Sequence, residues 1–422
     1  MKNTIQQESC CADINDTSSI SVNEAQRRIK EHVSPIKGKE KLSLRTCLNR
    51  MLAKDIYSPI DVPAHTNSAM DGYAIAAAQL PDDGVDVYEI VGTAYAGVIF
   101  SGACHAGQVV RIMTGAVIPQ GCDTIIMQEH TEKVDDSHVK IGSEHSKGQN
   151  IRLAGEDIGK NKIVFKAGRC VTPADLGVLA SLGIAEVMVF RRPRVAFFST
   201  GDELRSVGDA LEEGQIYDSN RYTLFGMLKR IGVEILDMGV INDDPDAMRE
   251  AFVEAAKMSD VIISSGGVSV GEADYIKPTL NEIGETHFWK IGMKPGRPLT
   301  FGKINNARFF GLPGNPVAVM VTFYQFVQPA LHYLASGEMR LPITVRAITE
   351  SPLNKRSGRV EFQRGIYEQR EDGRLSVKKT GRQGSGILSS MSSANCFIVL
   401  PEEMADIKMG DEVTIQPFEG LT

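Results

Sequence analysis

The stretch VIISSGGVSVGEADY, residues 261–275, decides how the chain is read. Val261, Ile262 and Ile263 suit a buried strand, and the three glycines and three serines that follow break it. Glu272, Asp274 and Tyr275 then stand where a helix over 275–283 should begin. A strand opening into a glycine-rich loop and then a helix is half of a βαβ unit. So little side chain also lets a ligand approach the backbone and its N–H groups, although a tight connecting loop would look similar.

The neighbouring sequence repeats this alternation. Residues 195–199 read as a strand, 222–231 as a helix with Leu224, Leu228 and Ile231 on one face, and 233–238 as a second strand. Residues 246–259 read as a helix, 261–264 as the third strand, and 288–291, 299–301 and 309–312 as short strands. PVAVMVTFYQFVQPALHYL, residues 316–334, reads as a buried helix with Pro316 in its first turn. The expected fold is an α/β domain with a parallel sheet and right-handed crossovers.

Outside this region the texture changes. Ser21 can cap a helix to about residue 33, with Val22, Ala25, Ile29 and Val33 at helical spacing. Residues 60–150 carry short β-rich runs at 88–91, 108–113 and 124–128, and the runs at 344–348, 360–367, 375–378 and 397–400 suggest a small C-terminal barrel or sandwich.

Composition bounds the function. The 422 residues are 42% hydrophobic with a net charge of −7, which fits a globular multidomain protein and argues against nucleic acid or an anionic membrane as partner. No apolar run is long enough to span a bilayer. Seven scattered cysteines without a C-x-x-C pair fit reduced thiols in the cytoplasm. Residues 1–19 read as a mobile tail in which Cys10 and Cys11 are incidental.

In an open parallel sheet, ligands bind beyond the strands' carboxyl ends. The segments expected there are STGDEL (Thr200, Gly201, Asp202, Glu203), IYDSNR (Asp218, Ser219), NDDPD (Asp243, Asp244), SSGGVSVGEADY (Ser265, Gly266, Gly267, Ser269, Asp274), MKPGRP (Lys294, Pro295, Arg297) and GLPGNP (Pro313, Gly314, Asn315). Their recurrence points to one cleft. No dinucleotide or P-loop signature is present. Lys290, Lys294 and Arg297 suit a phosphate or oxyanion, whereas Glu203, Asp243 and Asp274 suit Mg²⁺ or the N–H edge of a heterocycle such as a pterin. Asp243 could instead cap the helix starting near Asp246, and Glu203 could be a solvated loop acid. Asp71 in TNSAMDGYAI and Thr114 in TGAVIP stand in segments that turns or function would explain equally.

Eight ordered segments together carry a resemblance: NSAMDGYA (67–74), MTGAVIPQGCDTIIMQE (113–129), NIRLAGEDIGKN (150–161), STGDEL (199–204), IYDSNRYTL (216–224), SSGGVSVGEADY, MKPGRPLTFG (293–302) and GLPGNPVAV (311–319). Over roughly residues 20–415 the chain resembles the molybdopterin molybdenumtransferase family, whose relatives include the C-terminal part of gephyrin. The resemblance implies an elongated homodimer of four-domain chains. An extended domain (20–59 and 151–192) surrounds an inserted β domain (60–150), followed by a molybdopterin-binding α/β domain (193–338) and a C-terminal β-barrel (339–422).

The implied reaction takes adenylylated molybdopterin and molybdate, with Mg²⁺, to molybdenum-loaded cofactor and AMP. By resemblance Glu203, Asp243 and Asp274 are the acids of the cleft and its metal ligands, and Lys290 and Lys294 its basic pair. Arg364 in EFQRG and Ser385 in GRQGSG face the same cleft and help hold the oxyanion, while the second subunit contributes Asp71, Thr114 and Asp157. Implied partners extend to the molybdopterin adenylyltransferase and to cofactor-accepting enzymes. One departure is Thr66, where many relatives carry Asp. The rival readings are molybdopterin adenylyl transfer itself and a non-catalytic dimeric scaffold.

Overall fold

A computed structural model describes residues 19–266 and 276–418. They form two compact units: one takes the described residues up to Gly38 together with those from Phe190 onward, and the other is Lys39–Val189.

The larger unit begins with α1, Val22–His32, capped by Ser21, whose Oγ accepts from the Glu24 N–H at 3.1 Å. The expected helix is therefore present. Although its sequence neighbours are linker segments, α1 buries Val22, Ala25 and Ile29 in the core of the α/β domain.

Within Lys39–Val189, six strands make one curled sheet: β1 (Gly72–Ile75), β2 (Val85–Ala94), β3 (Gln108–Ile112), β4 (Thr124–Met127), β5 (Thr131–Lys133) and β6 (His138–Gly142), in the order β4-β1-β3-β2-β6-β5. Short pairings join the flanking segments: Asn67–Ser68 with Ile151–Arg152 and Ile56–Tyr57 with Ile163–Phe165. A helix, α2 (Pro173–Ser181), opens with a capping box between Thr172 and Asp175.

The α/β domain contains β7 (Arg194–Thr200), α3 (Ser219–Ile231), β8 (Glu234–Ile241), α4 (Pro245–Met258), β9 (Val261–Ser265), α5 (Ile276–Ile283), β10 (Gly284–Lys290), β11 (Met293–Lys294), β12 (Pro298–Ile304) and β13 (Ala307–Leu312). The main sheet has the order β8-β7-β9-β13-β12-β10. Its first four strands are parallel, as expected, but β12 runs antiparallel to both neighbours. Consequently β10 points the same way as β13, and the chain leaves β10 and enters β12 along one edge, with Lys290 opposite Pro298. That edge also receives the carboxyl ends of β7, β9 and β13.

The apolar run 316–334 is helical in three parts: α6 (Pro316–Thr322), a π-helical turn at Phe323–Val327, and α7 (Gln328–Ser336). Pro329 is the physical reason for the wider turn. Its ring cannot donate to the Gln325 carbonyl and would crowd it. That carbonyl instead accepts from Gln26 Nε2 of α1 at 2.9 Å.

The C-terminal region is a closed five-stranded barrel formed by β14 (Val345–Thr349), β15 (Val360–Gln369), β16 (Leu375–Lys379), β17 (Cys396–Leu400) and β18 (Glu412–Pro417), with β15 closing on β17. A short helix, α8 (Leu388–Ser392), precedes β17. β11 adds to this sheet beside β15.

Candidate functional site

The three parallel strands β7, β9 and β13 end at Thr200, Ser265 and Leu312, and just beyond them lies a cleft of about 330 Å³. Its walls include Thr200, Glu203, Asp218, Ser219, Ser265, Gly266 and Gly314 from the expected loops. Asn220 and Tyr217 join them, as do Gly386 and Leu388 from the region following β16. Two glycines fit the backbone geometry of this wall. Gly266 has φ +94°, and a Cβ there would lie 2.7 Å from the Thr200 carbonyl oxygen; at Gly201 a Cβ would come within 2.5 Å of the Glu203 carboxylate.

Asn220 ties the loops together. Its Nδ2 donates to Ser265 Oγ at 2.9 Å and to the Gly314 carbonyl at 2.6 Å. Because α3 begins at Ser219, three residues before the expected start, Asn220 lies in its first turn and Asp218 is its cap, with Oδ1 accepting from the Arg221 N–H at 3.1 Å. The remaining polar atoms are conspicuous for what they lack. Thr200 Oγ1, Asp218 Oδ2 and Asn220 Oδ1 of the cleft wall, with Ser199 Oγ and Ser264 Oγ in the adjoining strand residues, are buried without a hydrogen-bond partner among the described residues. Buried polar groups are normally satisfied, so such a cluster suits a polar ligand.

Acids gather beside the cleft. Asp243 N–H donates to Asp202 Oδ1 at 3.2 Å. Burial, followed by the charges of Asp202 and Glu203, raises the Asp243 carboxyl above the ordinary Asp range. The helix-capping alternative for Asp243 falls to its neighbour: Asp244 accepts from the N–H groups of Asp246 and Ala247 at the start of α4. Among the described residues no set of three His, Cys, Asp or Glu is placed to hold a metal ion together. Gly267, Ser269 and Asp274 lie outside the described residues.

The basic segment lies along the same sheet edge. Lys290 ends β10, and the turn after it brings Lys294 into β11, where its ammonium is 3.4 Å from Glu361 Oε1. Pro295, Gly296 and Arg297 make the turn into β12, with the Arg297 carbonyl accepting from the Ile291 N–H at 2.7 Å. Pro313 is buried after β13, and Asn315 is the N-cap residue of α6.

Arg364 is 1% exposed. Its guanidinium donates to Ser390 Oγ at 3.0 Å and to the carbonyls of Gly384 and Arg382 at 2.9 and 3.4 Å, while burial brings its pKa down to about 10. It thus braces the loop carrying Ser385, whose carbonyl accepts from the Val317 N–H at 3.0 Å and joins that loop to α6.

Within Lys39–Val189, Asp71 Oδ1 accepts from both the N–H and the hydroxyl of Thr114 at 2.7 Å. These bonds hold the Asp71 carboxyl below the ordinary range. The exposed Asp157 follows in a segment tied to the same region by Ala69 N–H to Asn150 O at 2.9 Å. Thr66, at the departure from the resemblance, accepts from the Ala154 N–H at 3.2 Å and so serves that turn.

Sequence reasoning placed the strand-end loops, Asp202 among them, but missed Tyr217, Asn220, Gly386 and Leu388 as parts of the site. Asn220 was visible within IYDSNR as an amide at a helix start; its two cross-loop bonds were not.

Comparison with known proteins agrees with this architecture. Residues 20–183 match the MoeA N-terminal region (domain I and II), 196–333 a probable molybdopterin binding domain, and 346–418 the MoeA C-terminal region (domain IV). The chain is 43% identical over 403 residues to the molybdopterin molybdenumtransferase of Haemophilus influenzae, covering 95% of this chain and 99% of that one. It is 34% identical to gephyrin of Dictyostelium discoideum, with 93% of this chain and 61% of that protein covered. A crystal structure of a molybdopterin biosynthesis MoeA protein from Pyrococcus horikoshii superposes with a TM-score of 0.80 at 29% identity, covering 95% of this chain and all of that one. With its cleft at the strand carboxyl ends and relatives matched over nearly their whole length, the chain belongs to the molybdopterin molybdenumtransferase family.

Proposed function

We propose that this chain is a cytoplasmic molybdopterin molybdenumtransferase: it inserts molybdenum from molybdate into adenylylated molybdopterin and releases AMP. The observation that carries the reading is the cleft, where unpartnered buried polar atoms and an acid cluster meet a loop of the barrel domain. Thr200, Asp218, Ser219, Asn220, Ser265 and Gly266 bind and orient the pterin nucleotide, together with Gly201, Gly267, Ser269, Pro313, Gly314 and Asn315. Acceptors such as Asp218 Oδ2 suit its N–H edge. Lys290, Lys294 and Arg297, with Pro295, Ser385 and Arg364, place the oxyanion and the phosphates.

Burial is the first cause that raises the Asp243 carboxyl, and the second, the charges of Asp202 and Glu203, fits a nearby cation, since opposite charge would relieve it. Asp243 and Glu203, with Asp274, would hold Mg²⁺, which when bound neutralises charge on the phosphoanhydride. No protein nucleophile is required, because the dithiolene sulfurs of the substrate capture the metal.

The active species in this reading is a homodimer, in which the partner subunit's Asp71, the partner subunit's Thr114 and the partner subunit's Asp157 complete each cleft. The upstream adenylyltransferase and the cofactor-accepting enzymes are its functional neighbours. Incubating the purified protein with adenylylated molybdopterin, with and without molybdate and Mg²⁺, tests the reading. Molybdate-dependent AMP release matched by pterin-bound molybdenum is expected; binding without turnover would overturn the catalytic reading in favour of a scaffold.

A further inference from the structure

We propose that Glu361 is a positioning residue for the oxyanion end of the site: it holds the Lys294 ammonium in one place and limits the positive charge that an incoming anion meets. The inference rests on the reading that Lys294 handles molybdate. Glu361 lies in β15 with its side chain 10% exposed, and a carboxylate so nearly buried needs a partner. β11 pairs with β15 in parallel, with Lys294 in register with Glu361, so their side chains leave the sheet side by side.

Two donors meet one carboxylate oxygen. Lys294 Nζ stands 3.4 Å from Glu361 Oε1, and Gln363 Nε2 donates to the same oxygen at 3.1 Å. Gln363, two residues along the strand and on the same face, also donates to the Asn354 carbonyl at 3.2 Å, which fixes the amide. Other cations feel Glu361 but point their hydrogens elsewhere. Lys355 donates to the carbonyls of Arg356, Glu402 and Met404, and Arg364 braces its own loop.

Lys294 differs in that its side chain is 55% exposed. Its contact with Glu361 is longer than the ~2.8 Å of a tight charge-assisted bond, so the ammonium retains donors for an anion. The backbone beneath is already fixed. Gly296 has φ +92°, and a Cβ there would lie 2.8 Å from Thr322 Cγ2. The flexible four-carbon stem is what remains to be ordered, and Glu361 orders it.

The test is steady-state kinetics of Glu361→Gln, which keeps the shape and removes the charge. AMP release coupled to molybdenum loading should show kcat falling about tenfold as the ammonium loses its place. KM for molybdate should stay level or fall, and sulfate, a competing tetrahedral dianion, should inhibit several-fold more strongly because its positive target is less neutralised. Glu361→Asp, which withdraws the charge by one methylene, should lie between. The double variant with Lys294→Gln should be no worse than Lys294→Gln alone.

A loss of thermal stability with sulfate inhibition unchanged would mean a structural role and overturn the proposal. If Lys294→Gln impairs turnover while Glu361→Gln behaves like the parent, the inference alone fails. If Lys294→Gln itself leaves molybdate kinetics unchanged, the reading beneath it fails. Should Glu361→Gln not fold, sulfate inhibition of Glu361→Asp decides, with an unchanged inhibition constant counting against the proposal.

Discussion

Replacing Asn220 with Ala isolates the knot that holds the cleft together. The change deletes the donors to Ser265 Oγ and to the Gly314 carbonyl, at 2.9 and 2.6 Å. At ~1 kcal/mol for each net hydrogen bond the loss is ~2 kcal/mol, and removing the unpartnered Oδ1 returns up to ~1 kcal/mol. The balance is a destabilisation of ~1–2 kcal/mol, which for a domain of this class lowers Tm by roughly 2–8 °C. The single tryptophan, Trp289 in β10, makes intrinsic fluorescence a direct reporter of this unit. The loops also lose their relative placement, so KM for the pterin substrate should rise. Asn220→Asp, which cannot donate and adds charge beside Asp218, should be at least as damaging. An unchanged fluorescence melt and an unchanged KM in Asn220→Ala would refute the claim that this amide organises the site.

Three further outcomes follow from the same geometry. Asp243 has a raised pKa, so its contribution to stability is present below the unfolded value near 4 and is lost as pH rises through the folded one. Asp243→Asn should therefore stabilise the ligand-free protein at pH 7, by no more than a few tenths of a kcal/mol once solvent screening is allowed for, while abolishing turnover, and chemical denaturation at pH 4 should show no gain. Asp260 behaves oppositely. Burial pushes its carboxyl up, but the Arg191 fork at 2.7 Å and the Arg194 N–H at 2.8 Å outweigh burial and hold it below the ordinary range. Its stabilisation is present above pH ~4 and fades as pH falls through the folded value, so Asp260→Asn should cost about 2 kcal/mol at pH 7, a difference that closes in acid titrations. Gly266→Ala forces a Cβ against the Thr200 carbonyl at φ +94° and should cost ~1–3 kcal/mol, with a matching loss of substrate affinity in equilibrium binding.

Much of this was legible in the sequence because local rules and the final structure agree. Ser21 caps α1, the apolar runs form the central strands, and the small-residue loops gather at their carboxyl ends. What escaped depends on contacts between distant residues. Asp243 and Asp244 are equivalent as letters, and only the geometry of the α4 start assigns the cap to Asp244. The reversal of β12 is hidden because an apolar strand reads alike in either direction. The π turn before Pro329 requires the Gln26 side chain, 299 residues from Gln325, to receive the displaced carbonyl. Glu361 is one acid among many until strand register sets it beside Lys294.

The most direct test of the central claim is a crystal structure with AMP and tungstate, a heavy congener of molybdate, located by anomalous scattering. The tungsten peak is expected along the carboxyl edge of the sheet, within reach of Lys294 and the Ser385 loop, with the nucleotide in the cleft at Thr200, Asp218 and Gly266. A peak remote from this edge in protein that still loads molybdenum would contradict the claim.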